Sequence, residues 1–137
     1  TVFNREDQAV YKIRVRTTDQ TGLFYEQNLN IYILDVNEPP IIISSDKCTV
    51  FVGYIFICTV RAIDNDPGDY VTFSLTPSDP ATWPTFVGAL VTDGNSASIA
   101  GVPSLGDVGT YTFALTATDA LGGLTDTQTI KLIVELE

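Results

Sequence analysis

Hydrophobic and polar positions alternate along residues 9–19. Tyr11, Ile13, Val15 and Thr17 fall on one face, and Lys12, Arg14, Arg16 and Thr18 fall on the other. A period of two over this length predicts a half-buried β-strand. A turn at Asp19-Gln20-Thr21-Gly22 follows, after which Leu29, Ile31 and Ile33 alternate with Asn28, Asn30 and Tyr32. The two runs predict a hairpin with a moderately long connection. An isolated hairpin is marginal in water, so residues 1–38 read as the last two strands of a domain whose earlier strands are absent.

Residues 41–137 carry seven further candidate strands, near 47–52, 54–63, 70–76, 85–92, 96–101, 110–118 and 126–135. Turn signals separate them, among them Asp66-Pro67-Gly68, Ser78-Asp79-Pro80, Asp93-Gly94 and Leu121-Gly122-Gly123. Short strands with turns at this spacing predict an all-β, seven-stranded Greek-key sandwich, preceded by a partial repeat. The expected inward face is Phe56, Cys58, Val60 and Ala62, then Phe73 and Leu75, then Tyr111, Phe113, Leu115 and Ala117, then Ile130, Leu132 and Val134. Trp83, between Pro80 and Pro84, is expected to cap that core. Ile55 and Ile57 then point outward near Phe51, a patch that is either an interface or covered by a loop.

Between the two patterns lies Asp35-Val36-Asn37-Glu38-Pro39-Pro40. Two consecutive prolines lack backbone donors and hold the chain extended, so no helix or central strand runs through them. The stretch divides the chain into residues 1–38, a partial repeat, and 39–137, a complete domain. An internal repeat supports the division. Tyr11-Lys-Ile13-Arg-Val15-Arg-Thr17-Thr-Asp19 parallels Tyr111-Thr-Phe113-Ala-Leu115-Thr-Ala117-Thr-Asp119, about one sandwich domain apart, as in a tandem array.

Charge and chemistry narrow the function. The net charge of −10 argues against a nucleic-acid partner and against an anionic membrane surface. No apolar run is long enough to span a membrane, and any secretion signal must lie outside this sequence. The chain has no histidine, which removes the commonest general base and makes zinc, copper or iron sites poor candidates. Asp35, Asn37 and Glu38 at a stiff joint are hard oxygen donors of the kind Ca2+ takes. Asp64 and Asp66 end one strand and Asp119 ends another, and in a Greek-key sandwich those ends can share a pole. Carboxylates gathered there repel one another, and a cation relieves the repulsion. The competing account is that each Asp simply shapes its own turn. Cys48 and Cys58 stand symmetrically about Gly53. In a tight hairpin they face each other, which fits a disulfide in an oxidising compartment; two buried thiols are the other reading.

These motifs resemble the cadherin repeat. Phe3-Asn4-Arg5-Glu6 is similar to its Leu-Asp-Arg-Glu motif, and residues 35–40 to its Asp-x-Asn-Asp-Asn-Ala-Pro linker. Val60-Arg61-Ala62-Ile63-Asp64-Asn65-Asp66 is similar to Ala-x-Asp-x-Asp, and Ala117-Thr118-Asp119 to Ala-x-Asp. The second domain resembles the dystroglycan-type, or bacterial Ig-like, cadherin variant through Ala100-Gly101-Val102-Pro103 and Gly106-Asp107-Val108-Gly109-Thr110-Tyr111. The resemblance implies a calcium ligand set of Glu6, the Val36 and Asn37 carbonyls, Glu38, Asp64, Asp66 and Asp119. Asn4 and Pro39 replace ligand-bearing residues of the family, so fewer ions and weaker binding are expected than is usual for it.

The implied function is an extracellular, cell-surface, non-enzymatic adhesion or structural module, in which Ca2+ at the joint stiffens a tandem array. Its partner is another protein, like or unlike itself. Exposed hairpin edges can also pair in trans, which leaves a dimer open. The alternative is a non-catalytic Ig-like module of a secreted or bacterial surface protein, a carbohydrate binder for example.

Overall fold

The computed structural model describes residues 3–137; Thr1 and Val2, at the head of the expected partial repeat, lie outside the described residues. The chain forms two compact units, one ending at Asn37 and the other spanning Glu38–Glu137.

The first unit is the antiparallel hairpin β1 (Val10–Thr18) and β2 (Phe24–Tyr32), with Val10 opposite Tyr32 and Thr18 opposite Phe24. The connection is shorter than the alternation suggests. Asp19 accounts for this: its Oδ1 accepts the Thr21 and Leu23 N–H groups and the Thr21 hydroxyl at 2.8–3.0 Å. Gly22 supplies the φ of +90° that the turn needs. The second strand therefore begins at Phe24 rather than Asn28, and its first residues are held on the polar face. Arg16 pairs with Glu26 at 2.5 Å and stacks 4.2 Å over the Phe24 ring. The apolar face is more open than its alternation predicts, with Ile13, Val15, Leu29 and Ile31 exposed by 40–46%.

The second unit is an all-β sandwich. One sheet runs β4 (Lys47–Phe51), β10 (Thr125–Glu135), β9 (Gly109–Asp119), β6 (Val71–Asp79). The other runs β3 (Ile41–Ile42), β5 (Phe56–Ile63), β8 (Ser96–Gly101), β7 (Val91–Asp93). The first strand of the domain is split between the sheets. β3 pairs antiparallel with β5, residues 43–46 cross over, and β4 pairs parallel with β10. At two residues, β3 is too short to show a period, so eight strands stand where seven are predicted. The Ile42 N–H is anchored on Asp126 Oδ2 at 2.9 Å.

The expected inward positions form the core. Phe56, Val60, Ala62, Phe113, Leu115, Ala117, Ile130, Leu132 and Val134 are all buried, each large side chain contributing about 1.5–3 kcal/mol by leaving water. Trp83 packs edge-on against Phe113 with centroids 5.6 Å apart and donates its indole N–H to the Val87 carbonyl.

Two expectations fail here. The run 85–92 is a strand only at its end: before β7 starts at Val91 it touches β8 through a Val87–Gly101 bridge and a Gly88 N–H bond to the Ala100 carbonyl. Phe86, Val87 and Leu90 close the core from a loop after Pro84, so their apolar character carries no strand period. Cys48 and Cys58 do form a disulfide, Cα atoms 6.2 Å apart, but not across a hairpin. They lie on β4 and β5, in opposite sheets, so the bond staples the sandwich where the first strand changes sides.

Replacing both cysteines with alanine is expected to lower stability in urea unfolding by about 2–3 kcal/mol, the loop-closure effect of so short a crosslink. Gly101 faces the Phe86 carbonyl so closely that an added Cβ would lie 1.9 Å from its oxygen. Gly101→Ala should therefore cost about 3 kcal/mol or more by the same assay.

Candidate metal centre and its relatives

The sequence places acidic residues at strand ends because strand interiors are occupied by the alternating core. In the second unit this brings two loops to one pole. The β5–β6 loop carries Asp64, Asp66 and Asp69, and the β9–β10 turn follows Asp119. Val71 stands opposite Asp119 in the β6–β9 ladder. The loops are tied together: Asp69 Oδ1 accepts the N–H groups of Tyr70 at 2.6 Å and Ala120 at 3.2 Å, and the Ala120 N–H also reaches the Tyr70 carbonyl.

Within the β5–β6 loop the carboxylates first organise their own backbone. Asp64 Oδ1 accepts the Asp66 N–H at 2.9 Å, and Asp66 Oδ2 accepts the Glu38 N–H at 2.9 Å. A turn from Asp66 to Asp69 is closed through Gly68 at φ +86°. Each side chain has a second oxygen. Asp64 Oδ2, Asp66 Oδ1 and Asp69 Oδ2 are all buried with no hydrogen-bond partner among the described residues. A buried carboxylate oxygen without a donor is costly, and three in one seven-residue loop amount to an unmet demand for positive charge. Carboxylate oxygens are the donors of a hard cation such as Ca2+, so the donor chemistry suits that ion, although these three carboxylates do not meet around one point among the described residues.

Asp119 differs. It is 1% exposed, and its carboxylate is directed at its own turn. Oδ1 accepts Gly122 and Gly123 N–H groups, and Oδ2 accepts Leu124 N–H at 3.0 Å. Asp19, its counterpart in the internal repeat, organises the hairpin turn in the same way, and the Thr21 hydroxyl foremost holds its carboxyl below the ordinary value of 3.8. The shared motif is thus a turn device in both copies.

The other expected ligands are placed as follows. Glu38 enters the second unit exposed, with its backbone bonded to Asp66. In the first unit Glu6 lies in an exposed turn whose N–H is held by Asn4 Oδ1 at 3.0 Å. Val36 and Asn37 are exposed at that unit's end. Arg5 binds Asp35 at 2.9 Å. Asp69 is the residue that motif matching passed over, because it falls outside the Ala-x-Asp-x-Asp pattern; its signal was the third Asp of one turn-forming loop.

Among known proteins, the He_PIG family, described as "Putative Ig domain", matches residues 39–135. No curated protein sequence matches the chain. Among solved structures, the EC1-2 region of human protocadherin-24 superposes with a TM-score of 0.66 at 18% identity, covering 100% of this chain and 70% of that one. The sialic acid binding region of a Streptococcus sanguinis SK1 adhesin gives 0.53 at 16% identity, over 90% of this chain and 37% of that one. The endo-fucoidan hydrolase MfFcnA4, of glycoside hydrolase family 107, gives 0.54 at 16% identity, over 96% of this chain and 24% of that one. The likeness is one of fold, and this chain spans a minor part of the last two.

Asp119→Ala removes the acceptor of three turn N–H groups and should cost about 2–4 kcal/mol. Chemical unfolding should show this loss already in a chelator, since the turn bonds need no ion.

Proposed function

The chain belongs to the He_PIG family of Ig-like domains, and on that premise we propose that it is a non-catalytic, extracellular adhesion or structural module of cadherin type whose β5–β6 loop binds Ca2+. One observation carries this reading: the three buried, unpartnered oxygens of Asp64, Asp66 and Asp69. A calcium ion supplies the charge they lack. It also orders the residues leading into the loop, beginning with Glu38, whose N–H is already bonded to Asp66. The expected consequence is a stiffened linker in a tandem array, an ion ordering a segment by local electrostatics. Glu6, Val36, Asn37, Glu38 and Asp119 join the proposed ligand set through the sequence resemblance, with Asp69 added and Asp119 also supporting its turn.

The finer assignment to the dystroglycan-type variant rests on residues 100–111. The non-catalytic reading rests on the lack of histidine, and the extracellular one on the disulfide. The proposed partner is a protein on a neighbouring surface, a second copy included.

Calcium at about 1 mM is expected to raise the melting temperature by about 5 °C if the affinity is that of an extracellular module, about 0.1 mM. Magnesium should not reproduce the shift. The triple change Asp64→Asn, Asp66→Asn and Asp69→Asn should abolish it. Equal melting with calcium and with chelator would overturn the reading and leave these residues as turn formers.

A further inference from the structure

The chain is acidic, yet its basic residues are not spread evenly. Four of the seven, Arg5, Lys12, Arg14 and Arg16, fall in the first unit. Three of those four are on the polar face of β1, two residues apart, and so point the same way. Their roles differ. Arg16 is committed to Glu26 and to the Phe24 ring. Arg14 touches Glu26 only at 3.6 Å and its side chain is 67% exposed. Lys12 forms no ion pair among the described residues. Across the ladder, Lys12 stands opposite Asn30 and Arg14 opposite Asn28. Directly opposed residues on one face have neighbouring side chains, so two cations and two carboxamides make a square. These four, with Ile13, line an open concavity of ≈ 530 Å3.

We propose that this face binds an acidic glycan, a sugar bearing a carboxylate or a sulfate. Arg14 and Lys12 take the anion, Arg14 through its planar fork and Lys12 as a point charge. Asn28 and Asn30 take the adjacent hydroxyls. The carboxamides select a sugar over an acidic peptide: each offers donors and an acceptor, matching hydroxyls, which both donate and accept, whereas a row of carboxylates only accepts. Charge complementarity acts locally: Lys12 has no ion pair among the described residues, and Arg14 shares Glu26 with Arg16 at the longer distance of 3.6 Å. The site uses no residue of the proposed calcium loop.

The test is titration in chelator, followed by nuclear magnetic resonance, with sialyllactose, sulfated lactose, neutral lactose and poly-glutamate. Working without calcium keeps this result separate from the calcium reading. At least one acidic sugar should bind, shifting the Asn28 and Asn30 side-chain amides, and added salt should weaken it. The two acidic sugars distinguish a carboxylate ligand from a sulfate ligand. Lys12→Gln with Arg14→Gln should weaken binding about tenfold or more, and Asn28→Ala with Asn30→Ala by a similar factor. Lys131→Gln should change nothing. The proposal is overturned if no acidic sugar binds, if lactose binds as well, or if either double variant binds like the parent. Binding of poly-glutamate that survives loss of both asparagines, without sugar binding, would identify the face as one for acidic polypeptide instead.

Discussion

Strand alternation is the constraint from which the rest of this molecule follows. In the second unit every strand that faces the other sheet must place an apolar side chain inward at each second residue. Phe113, Leu115 and Ala117 on β9, with Ile130, Leu132 and Val134 on β10, fill the space between the sheets in this way. Charge is thereby excluded from strand interiors on one side and collects where strands end. Asp64, Asp66 and Asp69 follow β5, and Asp119 ends β9. The acidic pole is a by-product of the packed core, and three of its carboxylate oxygens are buried.

Much of this was legible in the sequence for the same reason. Period-two stretches identify their own faces, so the core positions on β5, β9 and β10 could be read directly. What was not legible is where periodicity is missing. β3 is too short to have a period. Phe86, Val87 and Leu90 are apolar because they close the core, not because they alternate. The first hairpin was read with too late a second strand, since Phe24 and Glu26 are held by Arg16 on the opposite strand, a contact no local pattern displays.

The site divides similarly. Asp64 and Asp66 were legible as residues that end a strand. Asp69 was obscured by its ordinary place in a turn, and burial rather than spacing distinguishes its second oxygen. Asp119 looked equivalent to the others in sequence, but its carboxylate faces three backbone N–H groups of its own turn. The cysteines were read as a pair from their symmetry about Gly53, yet that symmetry implied one sheet, and the crossover at residues 43–46 puts them in two.

That crossover also determines how the second unit answers a pull. β4 lies parallel to β10, with Lys47 opposite Lys131 and Phe51 opposite Glu135. Tension entering ahead of β4 and leaving beyond β10 runs along both strands in opposite senses, so the ladder is loaded in shear and its bonds must yield together rather than one after another. The Cys48–Cys58 bond begins one residue into β4 and shortcuts the chain to β5 in the other sheet. Residues between the two cysteines are then out of the force path, and tension from that side passes through the sulfur atoms directly into β5. A domain wired this way resists extension as one unit.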